Sequence, residues 1–419
     1  MSNGGSENPF ERLLLRKIQQ LVGRSPIRVR MGDGEPGSTA EESTGGMIIR
    51  DRRALSRLVI NPEVGFGDAY MEGAVEVDGD LVRFLEEAFR IMRSGRVPRW
   101  HNRLFSRWLT FLQENTRSGS ARNIHHHYDL SNDFYKLWLD RRMVYTCAYF
   151  PAPTATLEEA QEAKLEHVCR KLQLQPGENV VEAGCGWGSL ALYMAKHYGV
   201  KVRAFNISRE QIQYARAQAR MEGLDGQVEF VEDDYRNISG RFDAFVSVGM
   251  LEHVGHEHYG ELAEAIRKAI GESGRGLLHF IGRNRSAPFS AWIRKHVFPG
   301  AYAPTLGEAL EIFERNNYAV LDVENLRLHY AKTLEHWLER YERAVDQVKE
   351  KFGPEFARMW RLYLAGSIAG FRVGTLQLFQ VVFAGPERRG IAWTRAHLYA
   401  GSASAGEATL EAEWSPARY

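Results

Sequence analysis

The chain has 419 residues, of which 44% are hydrophobic and 26% charged, and its net charge is +1. That length exceeds one ordinary core and argues for two domains, while near-neutrality excludes a whole-molecule field for nucleic acid and confines any anionic partner to a local patch. The three cysteines, Cys147, Cys169 and Cys185, are odd in number and lack CxxC or zinc spacing, which points to free thiols in a reducing, cytoplasmic compartment and to no metal site.

Residues 1–9 are polar, without the apolar core of a signal peptide. No stretch reaches the roughly 18 apolar residues that a spanning helix needs, so any membrane contact is expected to be peripheral. Residues 8–22 read as an amphipathic helix, with Phe10, Leu14, Ile18 and Leu21 at helical spacing. Short strands are expected at 27–30 and 47–50, separated by a loop rich in Gly, Ser and Glu. Asp78-Gly79-Asp80 punctuates the start of a helix over 81–92. This is a small α+β unit without a catalytic cluster.

From 93 to 122 the character changes. Arg93, Arg96, Arg99, Arg103 and Arg107 interleave with Trp100, Phe105, Trp108 and Phe111. One reading is a solvated linker helix whose aromatics pack on the next domain. The other is a surface helix drawn to anionic headgroups, with its aromatics in the membrane interface. No groove-reading motif accompanies the patch, so nucleic acid is not expected.

From residue 172 onward, strands and helices alternate. Strands are expected at 179–183, 201–206, 228–232, 242–248 and 276–281, with helices at 189–197, 209–222 and 259–270. That alternation predicts a mainly parallel sheet with helices on both faces. A long helix near 333–351 and a late strand at 376–383 follow, and residues 401–419 form a small, polar tail.

The strongest local motif is Val180-Val181-Glu182-Ala183-Gly184-Cys185-Gly186-Trp187-Gly188. It ends an apolar strand just before a helix, where open α/β sheets bind ligands, and its glycines let the backbone approach a nucleoside. The spacing is neither a dinucleotide fingerprint nor a P-loop. It resembles motif I of class I S-adenosylmethionine (SAM)-dependent methyltransferases, with Glu182 where Asp is commoner.

Further segments occur in a telling order. They are His126-His127-Tyr128-Asp129-Leu130-Ser131, Tyr145-Thr146-Cys147-Ala148-Tyr149-Phe150, Gly249-Met250-Leu251-Glu252-His253-Val254-Gly255 and Leu277-Leu278-His279-Phe280-Ile281-Gly282, then Phe298-Pro299-Gly300, His329-Tyr330-Ala331-Lys332-Thr333 and Gln377-Leu378-Phe379-Gln380-Val381-Val382-Phe383. Together they resemble the cyclopropane-fatty-acid-acyl-phospholipid synthase family, which includes the mycolic acid cyclopropane synthases. Gly65-Phe66-Gly67-Asp68-Ala69-Tyr70 looks like part of that family's accessory lipid-binding domain.

The resemblance implies a class I methyltransferase (Rossmann-like) α/β core with a helical lid over an acyl tunnel, plus the N-terminal α+β lipid-associated unit. The expected division is a lipid-binding-like domain at 1–92, a basic helical linker at 93–122, a catalytic domain at 123–400 and a tail at 401–419. The implied reaction transfers one carbon from SAM to a cis double bond of an unsaturated phospholipid acyl chain. The π electrons attack the sulfonium methyl, a base takes a proton from the transferred methyl, and a cyclopropane closes. An alkene is a poor nucleophile, so alignment and charge stabilisation must supply most of the help. Aromatic faces such as those of Trp187, Tyr149 and Tyr330 are suited to stabilising the cation.

In the family the base is a bound bicarbonate. Matching motifs give Cys147, Glu252, His279 and Tyr330 as its holders, with the backbone of Ile281. Each has an ordinary structural alternative: Cys147 and His279 as core residues, Glu252 as a turn cap. SAM contacts carry over to Tyr145, Thr146, Glu182, Gly184, Gly186, Trp187, Gly188, Asn206, Gln211, Asp234 and Tyr235. Asn206 stands where many SAM enzymes have an acid, which moves the ribose contacts to neighbours such as Gln211.

Three positions depart from the family pattern. Ser367 replaces a cysteine, Phe280 replaces a threonine beside the base site, and Val373-Gly374 replaces a more polar stretch. Altered pocket shape would change the fate of the cation, and loss of a chain proton instead gives a methylene branch for a partner reductase. A noncatalytic lipid-binding protein on a degenerate fold is the rival of another class. The expected partners are membrane phospholipids and an anionic membrane surface, with room for a homodimer.

Overall fold

A computed structural model describes residues 9–23, 25–32, 45–93, 130–287 and 289–399. The expected linker after Arg93, the His126–Asp129 part of the first family motif and the 401–419 tail lie outside the described residues. The chain opens with α1 (Pro9–Val22), β1 (Arg28–Met31), β2 (Gly46–Ile49), α2 (Arg52–Ile60), α3 (Pro62–Met71), β3 (Val75–Asp78) and α4 (Leu81–Arg93). β1 pairs parallel with β2, and β3 antiparallel. Asn61 separates α2 from α3: its side chain accepts from the Val64 N–H, and Pro62 starts the next helix with a ring that needs no donor.

Helices α5 (Asn132–Lys136) and α6 (Leu157–Leu172) precede the second sheet. α6 begins at a reciprocal cap between Thr156 and Glu159. There follow β4 (Asn179–Ala183), α7 (Ser189–Tyr198), β5 (Lys201–Asn206), α8 (Arg209–Met221), β6 (Val228–Glu232), β7 (Ala244–Val248), α9 (Tyr259–Ile270) and β8 (Arg275–Gly282). The chain then runs through α10 (Ala291–His296), α11 (Leu306–Glu314), β9 (Ala319–Asn325), α12 (Arg327–Arg343), α13 (Val345–Phe352), α14 (Pro354–Arg372), β10 (Gln377–Ala384) and α15 (Ala396–Tyr399).

The seven strands lie in the order β6-β5-β4-β7-β8-β10-β9. β4 to β8 are parallel, and β10 is antiparallel to both β8 and β9. Apolar layers cover both faces, one around Leu165, Leu190 and Ile212, the other around Phe245, Ile266 and Phe313. The winding reverses between β4 and β7, so the loops at their carboxyl ends flank a topological switch point. This is the expected class I methyltransferase core.

α14 packs on α12 by one side and on α3 and α4 by another. A single apolar cluster accordingly runs from Leu14 and Phe84 through Trp292 and Trp360 to Phe371. α3 can approach α10 because residue 67 is glycine: a Cβ there would lie 2.2 Å from the Trp292 ring. Arg358 on α14 donates to the carbonyls of Tyr70 and Val75, and Asp68 pairs with Lys295 and His296. No helix among the described residues is long and apolar enough to cross a membrane.

Candidate active site

The loop after β4 is held open by its own backbone. Gly184, Gly186 and Gly188 have φ of +81°, +54° and +86°, a region that L side chains adopt at a cost. The N–H groups of Gly184 and Cys185 both donate to the Phe205 carbonyl, at 2.9 and 3.0 Å. The three glycines serve different ends. A Cβ at Gly184 would meet Met250 at 2.9 Å and one at Gly188 would meet the Phe230 ring at 2.5 Å, whereas one at Gly186 would meet nothing within 4 Å. Gly186 therefore faces open space at the carboxyl edge of the sheet, the feature a bound nucleoside needs.

Asn206 ends β5 and turns its amide inward, donating to the Gly186 carbonyl at 3.2 Å and to Gln211 Oε1 at 2.7 Å. It braces the loop and fixes Gln211 beside it. Asp234 follows β6 and accepts from the Arg236 N–H at 2.9 Å; Tyr235 is buried, with the Arg236 guanidinium 5.2 Å from its ring centre. Glu182 lies beneath the loop rather than on its open side. Its buried carboxyl group hydrogen-bonds the Ala191 backbone in α7, and burial raises its pKa to about 8 against the pull of Lys164.

Lys164, on α6, escaped the sequence reading. Fully buried, it donates to Thr146 Oγ1 at 3.1 Å, and desolvation lowers its pKa to about 8. Thr146 is thereby fixed next to Gly249, where an added Cβ would lie 2.9 Å from the Thr146 methyl. The neighbouring Tyr145 hydroxyl meets that of Tyr363 at 2.8 Å. Trp187 reaches back to α5, donating to Asn132 Oδ1 at 2.7 Å with its ring 4.9 Å from Tyr135. Thus the SAM-assigned segments do converge around the switch point.

Of the five residues assigned to the base, Cys147, Ile281 and Glu252 are linked by a chain of contacts. The buried Cys147 thiol donates to the Ala148 carbonyl at 3.1 Å and lies 4.0 Å from the Leu326 carbonyl, and burial pushes its pKa up, so it is neutral. The Leu326 N–H donates to the Leu378 carbonyl on β10, and Leu378 pairs with Ile281 on β8. The Ile281 N–H in turn donates to Glu252 Oε1 at 2.5 Å. Tyr330 lies one turn into α12, its ring 4.7 Å from Phe371. Burial lifts Glu252 to about 7 and drives His279 well below its ordinary value, leaving a neutral imidazole.

Gln380 was quoted within a motif but given no role. It sits opposite His279 in the β8–β10 register, its Nε2 3.0 Å from His279 Nδ1. With the amide donating, Nδ1 accepts and the ring proton resides on Nε2. Glu252 Oε2 and His279 Nε2 are buried with no protein hydrogen-bond partner: one acceptor and one donor are left over. The sequence signals for the missed residues are plain in retrospect. Gln380 is the one interior polar residue of a fully buried strand, and Lys164 stands on the buried stripe of Leu157, Ala160 and Val168.

Two expectations about pocket shape change. Tyr149 offers no face to a cation, because its ring is sandwiched between His167 at 4.3 Å and His329 at 4.9 Å. Phe280 does not border the base site; strand alternation turns it to the opposite face, 5.8 Å from Phe379. Ser367 is partly buried, four residues from the buried Tyr363 and Phe371 on α14.

Comparison with known proteins agrees with this geometry. The profile described as mycolic acid cyclopropane synthetase matches residues 115–381, and one described as a domain of unknown function matches residues 14–95. The chain is 34% identical over 388 residues to a probable fatty acid methyltransferase of Pseudomonas putida, covering 89% of this chain and 96% of that one. It is 36% identical over 339 residues to cyclopropane-fatty-acyl-phospholipid synthase of Escherichia coli, covering 80% and 86%. The crystal structure of mycolic acid cyclopropane synthase CmaA1, complexed with SAH and CTAB, superposes with a TM-score of 0.60 at 30% identity, over 63% of this chain and 97% of that one.

Proposed function

This chain belongs to the mycolic acid cyclopropane synthetase family of SAM-dependent methyltransferases that modify lipid acyl chains, and from that footing we propose that it cyclopropanates cis double bonds of unsaturated phospholipids. The observation that carries the proposal is that Glu252 Oε2 and His279 Nε2 are both buried without a protein hydrogen-bond partner among the described residues, on segments tied together by the Gly249 N–H to the His279 carbonyl and the Ile281 N–H to Glu252 Oε1. A donor and an acceptor together suit a small oxyacid anion that carries one proton, and bicarbonate is such an anion.

Bicarbonate, when bound, supplies the base that takes a proton from the transferred methyl. The chain's own part is to hold it. His279 would donate from Nε2, Glu252 would accept through Oε2, and the Cys147 thiol and Tyr330 hydroxyl would complete the set. Ile281 acts through Glu252, since its N–H already fixes Oε1. For SAM, the open side of Gly186, the Gln211 amide, Asp234 and the Tyr145–Thr146 segment are the proposed contacts. The buried aromatics around Tyr330 and Trp337, 6.0 Å apart, exclude water from a cation that water would quench. The N-terminal unit, residues 1–92, is proposed to meet the lipid, at the cytoplasmic membrane surface.

A second reading, a methylene or methyl branch, is favoured by the Pseudomonas putida relative, which is named as a fatty acid methyltransferase and covers more of this chain than the Escherichia coli synthase does. The test is proton NMR of saponified lipids from cells expressing the chain. Upfield ring methylene signals are expected; vinylidene protons in their place would transfer the assignment to the second reading, and unchanged lipids would remove both.

Glu252 also predicts a pH dependence. Its pKa is raised to about 7, so the carboxylate that accepts from the bound acid fills in as pH rises. At constant bicarbonate and saturating SAM, turnover should rise with pH and level off above about 7, falling about tenfold per unit well below it. A profile flat from about pH 5.5 to about 8 would separate Glu252 from the rate.

A further inference from the structure

On the outer side of the turn that carries Tyr330, a cavity of about 620 Å³ opens between the end of α4, the start of α12 and the approach to β10. Two guanidinium groups line it and no carboxylate does. Arg93 is anchored by donating to the Val373 carbonyl at 2.6 Å. The Arg327 backbone N–H donates to Asn325 Oδ1 at 3.0 Å, while its guanidinium has no hydrogen bond or ion pair among the described residues and lies against Gly374, where a Cβ would be 2.5 Å from Nη1. The acids close by, Glu86 and Glu335, are already paired with Arg372. Asn325 and Gln377, hydrogen-bonded to each other at 2.9 Å, form the polar floor. Leu328, 61% exposed, stands at the rim beside Val373.

Two arginines over neutral amides select an anion, and the planar fork of arginine suits phosphate oxygens. The apolar rim distinguishes a lipid from a free ion, because Leu328 and Val373 give a glycerol backbone and the first methylenes something to lie on. Position points the same way. Leu326, just before Arg327, has its carbonyl 4.0 Å from Cys147 Sγ, so the cavity lining begins one residue along the chain from a contact of the base residues.

We propose that this cavity binds the phosphate of the substrate's phospholipid headgroup through Arg93 and Arg327, and so sets how far along the acyl chain the double bond meets the methyl donor. The proposal rests on the phospholipid reading above, and it gives a use to the Val373-Gly374 departure: the glycine makes the room that Arg327 fills.

The test separates binding from chemistry. Calorimetry on the full chain would use dihexanoyl phosphatidylglycerol, a soluble lipid without a double bond, alongside dihexanoylglycerol and inorganic phosphate. The phosphatidyl lipid should bind at least tenfold more tightly than dihexanoylglycerol, and Arg327→Gln should remove roughly that factor, as expected for one charge-assisted contact. Arg327→Lys should restore part of it, and SAM binding should not move in either variant. Gly374→Ala, which displaces Arg327, should copy the loss. Equal affinity for the two lipids, or Arg327→Gln binding like the parent, overturns the proposal. Tight binding of inorganic phosphate that Arg327→Gln abolishes, with lipid affinity unaltered, also overturns it by making this a free-phosphate site. Because none of these probes can react, a failure here leaves the cyclopropanation assay to be judged separately.

Discussion

Glu252→Gln should lose about 10²- to 10⁴-fold in turnover, the usual worth of a positioned proton-transfer group, while SAM affinity stays near that of the parent. The substitution is nearly isosteric. The glutamine oxygen can still accept from the Ile281 N–H, so the turn after β7 keeps its place and only the charge and the second acceptor go. Because that charge acts after methyl transfer begins, its loss belongs in the rate and not in cofactor binding. His279→Ala should be impaired to a similar degree, since it removes the leftover donor on Nε2. Added bicarbonate should recover part of the Glu252→Gln loss by mass action. Ser367→Ala should keep most activity, because nothing in the proposed chemistry calls for a nucleophile on α14. The measurement is SAM-dependent carbon incorporation into unsaturated phospholipid vesicles, with bicarbonate withdrawn and restored. Full activity in Glu252→Gln and His279→Ala beside an inactive Ser367→Ala would move the chemistry to α14.

The glycine loop yields the second large effect, and the structure divides it in two. Gly186→Val should still fold, at a cost of about 1–2 kcal/mol for its positive φ, because nothing in the protein lies within 4 Å of the new Cβ. Its SAM affinity should nevertheless fall by more than about 100-fold, the branched side chain standing where the nucleoside approaches; that corresponds to about 3 kcal/mol. Gly188→Ala should behave in the opposite way. Its methyl would lie 2.5 Å from the Phe230 ring and 2.9 Å from Ala215, so overpacking and strain together should cost about 3 kcal/mol of stability. Thermal melts and calorimetry on the same samples separate the two. Gly186→Val binding SAM as the parent does would take the cofactor away from this loop.

The parallel core was legible because its buried strands are short apolar runs stopped by glycine and polar turns. β4, β5 and β6 fall on the expected residues, as does α9. β7 begins at Ala244, two residues late, since Phe242 and Asp243 are drawn into contacts outside the ladder: the Phe242 N–H donates to the Ala269 carbonyl and Asp243 Oδ2 accepts from the Asn179 N–H. The helix expected over 333–351 instead starts at Arg327 and breaks at Ala344. No proline or glycine marks that break; the packing of α13 against α14 imposes it, and local propensity carries no trace of tertiary contacts. α14 itself was announced by Gly353-Pro354, and α6 by the Thr156–Glu159 cap, signals that the reading passed over.

At the site, the residue types were legible and their partners were not. His279 was singled out by its motif, whereas its tautomer follows from Gln380, 101 residues away. Tyr149 looked available for a cation because its covering rings, His167 and His329, come from distant parts of the chain. Nor could spacing reveal that Glu182 points under the loop, toward Lys164, instead of into it.

The apolar cluster shared by the N-terminal sheet and α14 has a bearing on how the chain may be divided. A boundary near residue 93 is clear in sequence, yet Trp292, Trp360 and Phe371 belong to the same continuous interior as Leu14 and Phe84. Truncation at that boundary would strip one wall from the catalytic half and leave Arg358 facing water where the Tyr70 and Val75 carbonyls had been. The shared interior couples the two halves energetically, so a thermal scan of the full chain should show one transition rather than two.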